Sequence, residues 1–141
     1  MSRLGTGSRL DRPAGGRGPP TRPVRVLAVD DQEPFRRALR DMIAATPGFE
    51  VAGEAASGAE AVELAGALAP DLVLLDVRMP GMDGLETARR LRSAHPAAVV
   101  VLISLDATVD DPAAVGAVAH LRKQELSIAA LRELWGARRR R

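Results

Sequence analysis

The chain has 141 residues, of which 46% are hydrophobic and 2% aromatic, and it contains no cysteine. This length suits one domain with a proper core, and the absence of cysteine excludes disulfides, thiolate metal sites and cysteine nucleophiles. The net charge of +2 is unevenly distributed: residues 1–25 carry six arginines, residues 136–141 carry four, and residues 26–135 hold ten basic and seventeen acidic residues. The acidic body argues against the nucleic-acid binding that a basic chain suggests.

The N-terminal segment, residues 1–23, is rich in Gly, Pro and Arg and has no apolar period. Because such a composition cannot bury enough surface to offset the entropy of ordering, we predict disorder there. A flexible leader, or a start site assigned too far upstream, is a simpler explanation than a functional basic arm. The longest apolar stretch, residues 97–103, is far shorter than the roughly 20 residues that span a bilayer. With no signal-peptide pattern and no cysteine, we expect a cytoplasmic protein.

Strand and helix patterns alternate from Val24 onward. The run VRVLAV, residues 24–29, is typical of a strand, and Pro34 lies near the first turn of the helix that follows. Apolar residues then recur at helical spacing, namely Phe35, Leu39, Met42 and Ile43. Residues 46–48, TPG, end this helix.

The same alternation continues to the C-terminus. Ser57 and Glu60 form a capping-box pattern at the start of the second helix. The remaining predicted elements are, in chain order, a strand at 49–55, a helix at 57–69, a strand at 72–75, a helix at 84–95, strands at 97–104 and 117–122, and a helix at 127–137. This order predicts an α/β fold with a parallel sheet covered on both faces. Strands buried on both sides read as continuous apolar runs, as LVLL does at residues 72–75.

Polar side chains end the predicted strands. Asp30 and Asp31 follow the first, Asp76 ends the third, Ser104 ends the fourth, and Lys123 follows the fifth. Because the carboxyl ends of parallel strands share one edge of a sheet, we expect these groups to lie together. Three carboxylates without compensation repel one another, and Mg²⁺ with its oxygen ligands relieves that repulsion. A lysine suits phosphate as a point charge, so the set suggests phosphoryl transfer onto a carboxylate.

Four motifs in this order resemble the receiver domain of bacterial two-component response regulators. They are VDD at 29–31, LLDVRMPGMDG at 74–84, LIS at 102–104 and LRK at 121–123. The resemblance covers about residues 24–135 and implies a flavodoxin-like, doubly wound, five-stranded parallel sheet. It divides the chain into a disordered basic tail (1–23), a receiver domain (24–136) and a basic C-terminal tail (137–141).

The resemblance also implies a role for each motif residue. Asp76 would accept a phosphoryl group from a histidine kinase or phosphotransfer protein. Asp30, Asp31, Asp76 and the backbone carbonyl of Arg78 would hold Mg²⁺, and Ser104 and Lys123 would contact the phosphoryl oxygens. His120 occupies the position of a switching Tyr or Phe three residues before the lysine. A half-exposed histidine that only packs is the simpler interpretation, although an imidazole there makes pH-sensitive switching a hypothesis.

The sequence departs from the family at several positions near this site. Leu105 replaces the usual small residue after Ser104, so we expect it to narrow access to the phosphoryl group. The segment between Ser104 and Lys123 is a few residues shorter than usual, which predicts a short or irregular fourth helix. Arg78 and Asp106 flank the site at positions that influence phosphoryl lifetime in this family. In this chain their opposite charges either form an ion pair across the site entrance or remain independently solvated.

Only 18 residues follow Lys123, too few for a DNA-binding module of roughly 50 residues. We therefore expect a stand-alone receiver, not a turnover enzyme, that acts through a downstream protein target. Neither DNA nor a membrane is an expected partner, and homodimer formation is one option. One alternative is a degenerate receiver that binds partners constitutively. A haloacid-dehalogenase-type phosphohydrolase is disfavoured because Arg78 stands where those enzymes place a second Asp, and a dinucleotide-binding fold because no Gly-rich turn follows the first strand.

Overall fold

The computed structural model describes residues 22–105, 109 and 111–138. Strands and helices alternate through this part of the chain. In order they are β1 (Val24–Val29), α1 (Glu33–Ala45), β2 (Phe49–Ala55), α2 (Gly58–Leu68), β3 (Leu72–Asp76), α3 (Gly84–Ala94), β4 (Val99–Ser104), β5 (Ala119–Arg122) and α4 (Ile128–Arg138). Most of the predicted N-terminal tail, and residues 139–141 of the C-terminal tail, lie outside the described residues, so the predicted domain boundaries stay predictions.

The five strands form one parallel sheet in the order β2-β1-β3-β4-β5. This confirms the predicted doubly wound sheet. Strand β3 is buried along its whole length, as its continuous apolar sequence predicts. The order places the ends of β1 and β3 side by side, with β4 next to β3.

Alternating side chains of each strand feed two cores, one on each face of the sheet. One core includes Leu75 and Leu102 with residues of α2 and α3. The other includes Leu74 and Ile103 with Leu39 of α1 and Leu131 of α4. The side chains at the strand ends are therefore directed to one face or the other by the same alternation.

The predicted cap of the second helix is present. The Ser57 hydroxyl accepts a hydrogen bond from the Glu60 backbone N–H at 3.1 Å, and the Glu60 carboxylate accepts from the Ala56 N–H at 2.8 Å. None of the helices in the described ranges has the length and apolarity needed to cross a membrane.

The described part of the connection from β4 to β5 is irregular, in agreement with the predicted short or irregular fourth helix. Among its described residues the regular element is a 3₁₀ helix, Pro112–Val115, with no α-helix. Strands β4 and β5 each begin two residues later than predicted. In β4 the reason is a turn after Pro96, in which the Ala98 N–H donates to the His95 carbonyl at 3.0 Å.

Candidate functional site

Three carboxylates converge at the carboxyl ends of β1 and β3. One carboxylate oxygen from each of Asp30, Asp31 and Asp76 lies within 4.8 Å of the others. Asp30 and Asp76 are buried and Asp31 is partly exposed. The fold thus brings together the three acids that the sequence placed at strand ends.

Lys123 joins this cluster from the end of β5. Its Nζ lies 2.7 Å from Asp30 Oδ2 and 3.6 Å from Asp76 Oδ2. The ammonium also lies 4.1 Å from the centre of the Phe35 ring, a cation–π contact. The Lys123 side chain is only 7% exposed, so it is a buried counter-charge to the acids and not a solvated surface lysine.

Backbone groups orient two of the carboxylates. Asp30 Oδ1 accepts a hydrogen bond from the Gln32 N–H at 2.8 Å, and Asp76 Oδ1 accepts one from the Arg78 N–H at 3.2 Å. Each bond closes a tight turn directly after a strand. Part of the orientation of each carboxylate therefore comes from a backbone group only two residues away in the sequence.

The Asp76 carboxyl has a pKa above that of an ordinary aspartate. Burial, followed by the nearby Asp30 charge, raises the pKa of Asp76 to about 6, although Lys123 and the Arg78 N–H oppose the shift. One lysine therefore leaves the cluster short of positive charge. A hard divalent cation fits this set of oxygen donors and its excess negative charge, and Mg²⁺ is the usual cation of that kind.

Ser104 and His120 form a separate pair. Ser104 Oγ and His120 Nε2 are 2.7 Å apart, a short hydrogen bond across β4 and β5. Ser104 is buried and follows Leu102 by two positions, so its side chain starts on the Leu102 face, whereas Asp76 follows Leu74 on the other face. His120 is partly exposed, as expected, and its ring also bonds to the Ser104 side chain, while its part in switching stays a prediction.

Comparison with known proteins agrees with this arrangement. Residues 26–134 match the sequence profile of the response regulator receiver domain. The chain belongs to this family. It is 47% identical over 83 residues to a protein-glutamate methylesterase/protein-glutamine glutaminase of Myxococcus xanthus, a match that covers 59% of this chain and 24% of that protein. The receiver thus spans about a quarter of the length of that relative.

Solved structures share the fold. The signal receiver domain of the response regulator NarL from Mycobacterium tuberculosis is 35% identical with a TM-score of 0.73, covering 85% of this chain and 99% of that one. One chain of the CheX–CheY complex of Borrelia burgdorferi with BeF₃ and Mg²⁺ is 31% identical to this chain, with a TM-score of 0.70. The match covers 79% of this chain and 86% of that one. The fold of this receiver is therefore the flavodoxin-like receiver fold that the resemblance implied.

A cleft of about 420 Å³ opens onto the acids of the receiver. Its lining includes Asp31, Asp76, Arg78, Leu105 and Lys123. Leu105 is 65% exposed, so its side chain borders the opening without being part of the core. Asp106, the other predicted flanking residue, lies outside the described residues.

Two residues of the site were missed by sequence reasoning. Phe35 was assigned only to the apolar side of the first helix, but its ring also faces Lys123. Arg36 was not singled out, yet its Nη1 donates to the Asp30 backbone carbonyl at 2.7 Å. The available signal was position: both residues lie in the first turn of a helix that starts two residues after the acids.

Proposed function

We propose that this receiver is a phosphoacceptor in which Asp76 takes a phosphoryl group from the phosphohistidine of a histidine kinase or phosphotransfer protein. The observation that carries the proposal is the convergence of three carboxylates on one lysine at the edge of the sheet. A cluster of buried acids costs folding free energy. A role in phosphoryl transfer accounts for three acids being held together despite this cost.

The chemistry assigned to Asp76 is nucleophilic. One of its carboxylate oxygens attacks phosphorus, the phosphorus–nitrogen bond of the donor breaks, and an aspartyl phosphate forms. Asp76 must be ionised to attack, and its pKa of about 6 leaves it mostly ionised at neutral pH. The Arg78 N–H, at 3.2 Å from Oδ1, holds the carboxylate in one orientation.

The carboxylates of Asp30, Asp31 and Asp76 and the backbone carbonyl of Arg78 are the groups assigned to hold Mg²⁺. When bound, Mg²⁺ supplies positive charge that offsets the charge of the transferring phosphoryl group. Lys123 lies 3.6 Å from Asp76 Oδ2, close enough to exchange its contact with Asp76 for one with a phosphoryl oxygen.

Ser104 and His120 are assigned to the switch that follows phosphorylation. In the structure the Ser104 hydroxyl bonds to His120. When Asp76 carries a phosphoryl group, the proposed switch moves the Ser104 hydroxyl away from the imidazole to a phosphoryl oxygen. The imidazole ring then loses its hydrogen-bond partner, and β5, which carries His120, rearranges in response.

The proposed output is protein–protein contact. We propose a receiver in the cytoplasm, divided at residues 24 and 136 from its basic tails, with an unidentified downstream protein target, no direct DNA or membrane binding, and self-association as an open option. The acidic body of the chain supports a protein partner over a nucleic acid.

A second candidate is a receiver that binds its partner constitutively without being phosphorylated. The exposed Leu105 at the opening of the cleft favours it, because a branched side chain there hinders an incoming phosphodonor. Arg78 and Asp106 are proposed to affect phosphoryl lifetime only in the first candidate.

Intact-protein mass spectrometry after incubation with acetyl phosphate and Mg²⁺ distinguishes the two. One added phosphoryl group on the wild type, lost in Asp76→Asn and in the presence of chelator, supports the phosphoacceptor. Asp83→Asn is the matched control, because Asp83 is an exposed helix cap. If the wild type gains no adduct and beryllofluoride also causes no conformational change, the constitutive module is favoured.

A further inference from the structure

Arg36 is the side chain of α1 that reaches the backbone beneath the acid cluster. Its Nη1 donates to the Asp30 carbonyl at 2.7 Å. The same guanidinium donates through Nε to Glu54 Oε1 at 3.2 Å. One side chain thus links the end of β1, the first turn of α1 and the edge strand β2.

Glu54 fixes the direction of that guanidinium. It lies in β2 opposite Ala28 of β1, and its second oxygen accepts from Arg40 Nη1 at 3.2 Å. The side chains of Arg36 and Glu54 are 18% and 27% exposed, respectively. A pair shielded to this degree holds its geometry better than a surface ion pair does.

The Asp30 backbone is held at both of its polar groups. Its N–H donates to the Ala55 carbonyl at 3.0 Å, and its carbonyl accepts from Arg36. The chain continues from Asp30 through Asp31 to Gln32. A shift of the Asp30 carbonyl would therefore move the carboxylates of both Asp30 and Asp31. Two of the four proposed metal ligands depend on this one anchored peptide.

We infer that Arg36, oriented by Glu54, is a positioning residue that sets the affinity of the acid cluster for Mg²⁺. This inference rests on the proposed function, since it concerns the same cation. Arg36 bonds to the Asp30 backbone, and the cleft is lined by other side chains, so its effect on the cation passes through that backbone. Groups that orient metal ligands commonly change metal affinity when they are lost.

The test is a calorimetric Mg²⁺ titration of the full chain without phosphodonor, in 0.5 M KCl to screen long-range charge effects. The variants are Arg36→Lys and Glu54→Gln. Arg37→Lys and Glu86→Gln are the matched controls, because both residues form exposed ion pairs that do not touch Asp30. Circular dichroism and the melting temperature of each variant are measured in parallel.

We expect Arg36→Lys and Glu54→Gln each to weaken Mg²⁺ binding by about tenfold, and the controls by less than about twofold. The double variant should bind no more weakly than the worse single variant, because Glu54 acts through Arg36. If Arg36→Lys does not fold, Glu54→Gln alone decides. Folded variants that bind Mg²⁺ like the wild type overturn this inference only, whereas a wild type that binds no Mg²⁺ contradicts the proposed function.

Discussion

Lys123 Nζ lies between two acids, 2.7 Å from Asp30 Oδ2 and 3.6 Å from Asp76 Oδ2. The ammonium therefore neutralises part of the negative charge to which a metal ion would bind. It is also the only lysine of the chain, although the chain is rich in arginine. Its compact ammonium contacts both carboxylates and the Phe35 ring.

We predict that Lys123→Gln binds Mg²⁺ more tightly than the wild type, because the competing positive charge is gone. In EDTA the same variant should unfold more easily, by about 3 kcal/mol, since Asp30 loses its buried partner. Calorimetry and urea unfolding measure the two effects. Arg122→Gln, the same charge change at the adjacent exposed position, should alter neither by much. Weaker Mg²⁺ binding in Lys123→Gln would contradict the competition.

We predict that Asp76→Asn stabilises the protein in EDTA at pH 8. The pKa of Asp76 is about 6 in the folded chain, against 3.8 for an ordinary aspartate, so the folded chain binds the proton more tightly than the unfolded chain. Its contribution to stability is full below pH 4 and is lost as the pH rises through 6. The permanently neutral Asn avoids that loss, which amounts to about 3 kcal/mol at most.

Urea unfolding at several pH values checks this prediction. The advantage of Asp76→Asn should be largest at pH 8 and should shrink steadily towards pH 4. The exposed cap variant Asp83→Asn should match the wild type throughout, since Asn caps a helix as well as Asp does. An advantage that does not change with pH would show that ionisation of Asp76 is not its cause.

We predict that Ser104 and His120 stabilise the fold as a coupled pair. Their side chains share a 2.7 Å hydrogen bond, so a double-mutant cycle with Ser104→Ala and His120→Phe should give a coupling of about 1 kcal/mol in urea unfolding. Because the two side chains are in contact, the coupling measures the hydrogen bond together with the packing between them. Additive effects of the two substitutions would mean that the bond contributes nothing to stability.

We predict that Leu105→Ala speeds phosphorylation by acetyl phosphate several-fold. The side chain is 65% exposed at the opening of the cleft, so its truncation widens access and costs less than about 0.5 kcal/mol of stability. Rates are measured by intact mass at fixed Mg²⁺. Ile128→Ala, at another exposed large hydrophobic residue outside the cleft, should leave the rate unchanged. An unchanged rate in Leu105→Ala would remove the argument for a hindered site.

The fold and the identity of the acid cluster could be predicted from the sequence. Strands β3 and β4 are apolar up to their last residue, and β1 is mostly apolar. Each of the three ends on or next to a polar residue, so Asp76 and Asp30 could be assigned to one edge of the sheet. The hydrogen bond between Ser104 and His120 could not be predicted, because it depends on which strand neighbours β4 and on two side-chain conformations. The contacts of Phe35 and Arg36 could not be predicted for a similar reason. Helical spacing indicates the face of the helix on which a residue lies, but not the atoms that its side chain contacts.

The Ser104 and His120 side chains begin on the face of the sheet opposite to the one where Asp76 and its neighbouring acids gather. The central strands thus act as a partition, with the proposed chemistry on one side and the bonded hydroxyl on the other. Lys123, the residue that follows β5, contacts Asp76 directly, whereas His120 within β5 contacts Ser104 on the other side. Strand β5 and the residue after it therefore reach both sides of this partition.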